Sequence, residues 1–168
     1  MAQGQGVVVR RAKPSDASTI AAFINRVLGK ASVDDITIIE SFGDEGYFLA
    51  ERDGNLVGFL GWRAENLVVR VINLLIWPAA EYTAVAPSLF SEMEQAAATL
   101  QCEAALLLPP RKVLSPRQIE FFSELGYQPQ TVASLPKAWR EAAREAKLDD
   151  EDPVLVKQLR EHRVLRPI

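Results

Sequence analysis

The sequence predicts an α/β domain with a mixed central sheet of about six to seven strands and helices on both faces. Three observations carry this. Short β-branched and apolar runs recur at strand length, and amphipathic runs at helical spacing alternate with them. Asp53-Gly54-Asn55 joins two of the apolar runs directly, which demands an antiparallel hairpin beside the helical crossovers.

Residues 7–11 form a short strand of mostly β-branched residues. Pro14 and Ser15 end it, with Ser15 the expected N-cap of a helix that puts Ile20, Phe23, Ile24, Val27 and Leu28 on one face. A second, shorter helix is expected over 36–42. Residues 47–52 and 56–62 are the two hairpin strands, and 67–76 is a long apolar strand ended by Pro78. A helix opening near Pro87 then stacks Leu89, Met93, Ala97 and Leu100.

The continuous apolar run 104–108 suits a central strand covered on both faces. Ser115-Pro116-Arg117-Gln118 is a capping box with proline at the first helical position, and its helix presents Ile119 and Phe122 before stopping at Gly126. Residues 127–133 alternate as a strand. Residues 137–147 are an alanine-rich helix with Trp139, Ala142, Ala143 and Ala146 along one side. The acidic run 149–152 separates it from a last strand over 153–159.

A chain of 168 residues has room for one real core, so a single domain over 1–168 is expected. Residues 1–6 read as a frayed lead-in, and 134–168 as a C-terminal helix, last strand and tail. Net charge is −3 with both signs interspersed, which leaves no basic stripe for nucleic acid. The one cysteine, Cys102, excludes a disulfide within the chain and points to a reducing, cytoplasmic compartment. The first residues lack the pattern of a signal peptide. The apolar stretch 68–78 is broken by Arg70 and Asn73 and is too short to span a bilayer. Cys102 is expected as a small core residue, and His162, the one histidine, as a solvated tail residue with no metal partner nearby.

Three phrases resemble the GCN5-related N-acetyltransferase (GNAT) superfamily. Arg10-Arg11-Ala12 followed by Asp16-Ala17 is similar to its opening, and Asp53-Gly54-Asn55-Leu56-Val57-Gly58 to its β2–β3 hairpin. Phe121-Phe122-Ser123-Glu124-Leu125-Gly126-Tyr127 is similar to its closing aromatic-Tyr-x-x-x-Gly-Phe phrase. The resemblance implies the GNAT fold, with strands four and five splayed at Ile76 and Leu108, and acetyl-CoA as the candidate cofactor.

The family holds acetyl-CoA in a loop after its fourth strand, where small residues and free N–H groups at a helix N-terminus meet the diphosphate. By position that loop is Ile76 and then Glu81-Tyr82-Thr83-Ala84-Val85-Ala86. Glu81 stands where the family has Arg or Gln. An unneutralised carboxylate about 5 Å from a diphosphate charge would repel it by roughly 3 kcal/mol at an effective dielectric of about 20. Ala84 replaces a glycine, which requires a negative φ there, and Pro87 is expected to remove an N–H at the helix start.

The catalytic positions implied by the resemblance are depleted as well. The family's proton-donating Tyr matches Phe122, which has no proton to give, and the fourth strand carries no carboxylate to act as base. Tyr82 is the candidate substitute donor. The expectation is therefore a GNAT-fold protein with reduced or lost acetyl transfer that acts by binding a protein or small molecule. The alternatives are an atypical acyl-CoA-dependent N-acyltransferase acting on an amine, and a small-molecule sensor using the vacated cofactor cleft. The stripe on helix 137–147 and the apolar tail residues Val164, Leu165 and Ile168 suggest a homodimer.

Overall fold

The alternating strand and helix patterns close into one hydrogen-bonded order of strands. The computed structural model describes residues 6–29, 34, 38, 40, 46–65, 67–109 and 113–160. Its strands are β1 (Val7–Arg11), β2 (Gly46–Arg52), β3 (Asn55–Glu65), β4 (Val68–Ile76), β5 (Ala104–Leu107), β6 (Gln128–Thr131) and β7 (Pro153–Gln158). They lie in the order β1-β2-β3-β4-β5-β7-β6. β4 and β5 are parallel, while β1–β2, β2–β3, β5–β7 and β6–β7 are antiparallel, so the sheet is mixed as expected. The helices are α1 (Ala17–Leu28), α2 (Tyr82–Thr99), α3 (Pro116–Glu124) and α4 (Lys137–Glu145).

The β4–β5 ladder runs from Val68↔Ala104 to Val71↔Leu107 and stops. β4 continues to Ile76, whereas β5 gives way to Pro109, whose ring nitrogen cannot donate to a ladder. Pairing has thus ended before Ile76 and Leu108.

The chain divides into two compact units. The first holds residues 1–63 and 73–93, and the second 64–72 and 94–168. In the first, α1 lays Ala17, Ile20, Ala21 and Phe23 on Tyr47, Leu49, Leu56 and Phe59. Phe59 meets Phe23 and Tyr47 edge-on at 6.2 and 6.0 Å. Neighbouring residues of a strand point to opposite faces, and a Cβ on Gly58, next to Phe59, would lie 3.0 Å from Val85 of α2. Helices α1 and α2 therefore cover opposite faces of this unit's strands.

In the second unit α4 packs Trp139, Ala142 and Ala143 against Val68, Leu106, Val154 and Val156. The Trp139 indole N–H donates to the buried Glu103 carboxylate at 3.2 Å. Trp139, Ala142 and Ala143 of this helix are thus buried within its own unit.

Several sequence expectations shift. Ser15 is not the N-cap of α1; it sits inside a 3-10 turn, Pro14–Asp16. Asp16 stands at the N-cap position, yet its side chain does not cap α1; it accepts from the Lys13 N–H at 2.8 Å and grips Arg10 through two bonds of 2.9 and 2.8 Å. These charge-assisted bonds hold the 3-10 turn in which Ser15 lies. The expected strand 127–133 is confined to β6, because Val132 and Ala133 donate to the Asp152 and Asp150 carbonyls and so turn into a 3-10 segment, Val132–Ser134. α2 begins at Tyr82, five residues before Pro87. The helix expected over 36–42 falls largely outside the described residues, as do residues 1–5 of the lead-in, His162 and the tail.

Candidate functional site

The loop after β4 is built by three local devices. Trp77 donates its N–H to the Val57 carbonyl at 2.9 Å, extending the strand edge by one residue past Ile76. A 3-10 turn, Ala79–Glu81, follows, with Glu81 N–H on Pro78 O and Tyr82 N–H on Ala79 O. The chain then enters α2 directly at Tyr82, whose φ and ψ are −57° and −47°. The turn uses the Glu81 and Tyr82 donors.

Each objection raised by the loop's sequence can be set against this backbone. Positive φ occurs at the non-glycine residues Asp53, Leu67, Gln101 and Lys147 among the described residues, and Ala84 is not one of them. A methyl group at 84 therefore carries no strain. Pro87 lies in the second turn of an 18-residue helix. The N–H it lacks would have bonded within the helix to Thr83, so the first-turn donors are untouched, and its expected effect at the helix start is corrected. Gly58 lets the helix come close: a Cβ there would lie 3.0 Å from Val85 Cγ1, 3.1 Å from Ile76 Cγ1 and 3.2 Å from the Leu75 carbonyl.

Glu81 does not stand alone. Arg52, the last residue of β2, reaches it with Nε on Oε2 at 2.7 Å and Nη2 on Oε1 at 2.8 Å. This parallel fork neutralises the carboxylate and fixes its plane. The Arg52 guanidinium holds the Glu81 carboxyl below its ordinary range. Sequence reasoning missed Arg52 because it stands 29 positions away and belongs to no local phrase. The one available signal was its place at the hairpin mouth, where Arg52 pairs with Asn55.

Ile76, Val85 and Ala86 are buried, while Glu81, Tyr82 and Ala84 are half-buried and Thr83 is exposed. Burial pushes the Tyr82 phenol up, so it stays protonated at neutral pH. Trp77 is 48% exposed beside the loop.

The other chemically interesting residues lie in the second unit. Arg70 is a buried cation on β4, with Nη2 on Glu65 at 2.9 Å, Glu145 at 4.0 Å and Nε without a partner. Phe122 is buried edge-on to Phe121 and Tyr127, 5.0 and 6.3 Å between ring centres. Tyr127 is itself fully buried with its hydroxyl committed to Glu94. Cys102 is buried as expected, and burial pushes its thiol up. Among the described residues no cluster of three His, Cys, Asp or Glu could hold a metal, and no helix is long and apolar enough to cross a membrane.

The residues of the loop are thus compatible with an acyl-CoA diphosphate: small side chains at 84 and 86, and a Glu81 carboxylate already paired with Arg52.

No protein-family model matches this sequence, and no curated protein matches it. Solved structures do. A GNAT-superfamily phosphinothricin acetyltransferase from Sinorhizobium meliloti, in complex with acetyl-CoA, aligns with a TM-score of 0.69 at 14% identity over 98% of this chain and 94% of its own. A putative acetyltransferase from Salmonella typhimurium, with its cofactor acetyl-CoA, gives 0.66 at 16% identity over 95% and 98%. N-acetylglutamate synthase from Neisseria gonorrhoeae, complexed with coenzyme A and N-acetyl-glutamate, gives 0.62 at 22% identity over 92% of this chain. This chain spans about a third of that enzyme's length, 35%. With the seven-stranded mixed sheet and the β4–turn–α2 connection already in place, these alignments establish that the chain has the fold of the GNAT acetyltransferases.

Proposed function

We propose that this protein binds an acyl-CoA at the loop 76–86 and transfers the acyl group to an amine, acting in the cytoplasm without a tyrosine in the closing phrase. The observation that carries this reading is the Arg52–Glu81 fork, which removes the strongest electrostatic objection to a diphosphate at the start of α2. The helical start after β4 and the α2 dipole face the diphosphate, and the end of β4 around Ile76 aligns the pantetheine arm. Bound acyl-CoA supplies an activated thioester. The chain's own contribution is orientation of the two reactants, the effect that most accelerates an acyl transfer between bound partners. Tyr82, kept protonated by its burial, is the candidate proton donor to the departing thiol.

A second reading rests on Phe122 and on the lack of a carboxylate on β4: a protein that retains the ligand and has lost the transfer. Two measurements separate the readings. Calorimetry with CoA and acetyl-CoA tests the loop, and thiol release from acetyl-CoA across a panel of primary amines tests the chemistry. A ligand held a hundredfold above its Kd should also stabilise the native state by about 2.7 kcal/mol. Binding with amine-dependent thiol release supports the transferase. Binding without release supports the second reading, and no binding defeats both.

A further inference from the structure

We propose that the groove between α1 and the β2–β3 hairpin is a binding site for a small carboxylate, with Arg26 as the residue that holds it. The site is separate from the loop 76–86 and does not depend on the acyl-CoA reading.

The groove has a volume of about 440 Å³ and lies within the first compact unit. That volume falls in the range of small-molecule sites, roughly 300–1,000 Å³. Ser18, Thr19, Ala22, Phe23 and Arg26 line one side. Their spacing follows the helical period, so they share one flank of α1. Gly54, Asn55 and Leu56 of the hairpin line the other side. Phe23 and Leu56, 2% and 8% exposed, form the apolar floor. The mouth stays open because small residues stand between the polar ones. Ala22 lies one helical turn from both Ser18 and Arg26, and Gly54 presents no side chain.

Arg26 is the only charged residue of the lining. Its helix, α1, contains no acid, and Asp53 at the hairpin turn is not part of the lining. The Arg26 guanidinium lies 5.4 Å from the centre of the Phe23 ring. A guanidinium over a ring meets the aromatic with its face and keeps its edge of N–H donors for a planar carboxylate. Arg10, Arg52, Arg70 and Arg144 each hold a carboxylate of this chain, but Arg26 forms no ion pair among the described residues. The side chains of Ser18, Thr19 and Asn55 likewise form no hydrogen bond among the described residues. They are available to further polar atoms of a ligand whose body rests on Phe23 and Leu56. One cation, three neutral polar groups and an apolar floor suit a carboxylate with a short apolar body. An amine would meet the charge of Arg26, and a bare phosphate would leave the floor uncovered.

The test uses the whole chain and sodium benzoate as the probe, with benzamide as the neutral match of the same shape. Amide NMR titrations at constant ionic strength read where each binds and how tightly. The variants are Arg26→Met, which keeps an apolar stem over Phe23, and Ala22→Leu, which fills the groove. Arg11→Met is the control, because Arg11 also lies over aromatic rings, Phe48 and Trp62 at 5.2 and 5.9 Å, but is not part of the groove. Thermal unfolding confirms that each variant is folded. Benzoate should give saturable shifts confined to residues 18–26 and 54–56, and benzamide should bind at least about fivefold more weakly. Arg26→Met should lose about fivefold in benzoate affinity, the scale of one partly solvated charge pair. Ala22→Leu should abolish the saturable shifts, and Arg11→Met should leave them unchanged.

Benzamide binding as tightly as benzoate would overturn the proposal, since the charge would then play no part. A folded Arg26→Met with wild-type affinity would overturn it too. Equal losses in Arg11→Met and Arg26→Met would mean a general effect of net charge, and shifts that never saturate would mean no site; either result defeats it.

Discussion

Tyr127 donates its hydroxyl to Glu94 at 2.8 Å, and Lys157 reaches the other oxygen of the same carboxylate at 2.7 Å. The phenol is fully buried, and Lys157 also lies 5.8 Å from its ring centre. Burial, and then the neighbouring Glu94 charge, push the phenol well above its ordinary range. The unfolded chain releases this proton near pH 10, and the folded chain holds it longer. Stability should therefore be unaffected below about pH 10 and fall above it, at about 1.4 kcal/mol per pH unit. Tyr127→Phe should be less stable by about 1 kcal/mol at neutral pH and should lose the alkaline slope. Urea unfolding from pH 7 to 11 checks both.

Asp16 governs the acid side. The Arg10 guanidinium, helped by the Lys13 N–H, holds its carboxyl down to about 2 from an ordinary 3.8. A depressed acid stabilises the fold above its unfolded value and loses that contribution as pH falls toward the folded one. The window is thus between about pH 4 and pH 2. Asp16→Asn should cost about 1 kcal/mol at neutral pH, after allowance for solvent around this pair, and almost nothing near pH 2. Chemical denaturation of both proteins at the two pH values measures the difference.

Gly58 tests the seating of α2. An added methyl group must displace Val85, Ile76 or the Leu75 carbonyl, none of which is a flexible chain end. Gly58→Ala should destabilise by about 1–3 kcal/mol through overpacking. It should also weaken CoA binding, because Val85 belongs to the loop. Gly54→Ala is the control: it meets nothing within 4 Å and is strained only by its φ of 81°. It should lower stability by about 1 kcal/mol and leave CoA affinity unchanged. Thermal unfolding with calorimetry distinguishes them.

The proposed homodimer now rests on the tail, since Trp139, Ala142 and Ala143 pack within their own unit. Light scattering of the full chain should give a dimer mass, and a chain ending at Leu159 should give a monomer. Equal monomer masses for both at high micromolar concentration would end the proposal.

Signals were legible where the chemistry is local. The capping box read from Ser115 and Gln118 forms as expected, with Gln118 N–H on Ser115 Oγ at 3.2 Å and Ser115 N–H on Gln118 Oε1 at 2.9 Å. The Asp53-Gly54 turn supplies the two positive φ angles a tight hairpin needs. The same proline rule that held at Pro116 failed at Pro87, because the 3-10 turn 79–81 starts the helix early and tertiary packing of Val85 holds it there. At Ser15 the expected cap does not form, because the residue lies inside a 3-10 turn held by the Asp16 carboxylate on the Lys13 N–H and on Arg10 of the preceding strand. The candidate loop was located by position alone, but its charge state was not legible, since neutralisation of Glu81 depends on a residue brought close only by folding.

In this chain the cation that meets Glu81 comes from another strand, 29 positions upstream. A pattern of consecutive residues registers only the acid at 81 and reads the stretch as hostile to phosphate. The balance becomes visible when Arg52 and Glu81 are scored as one unit across the hairpin. Other chains of this fold that carry an acid at that position can be sorted the same way, by asking whether the hairpin mouth holds a guanidinium.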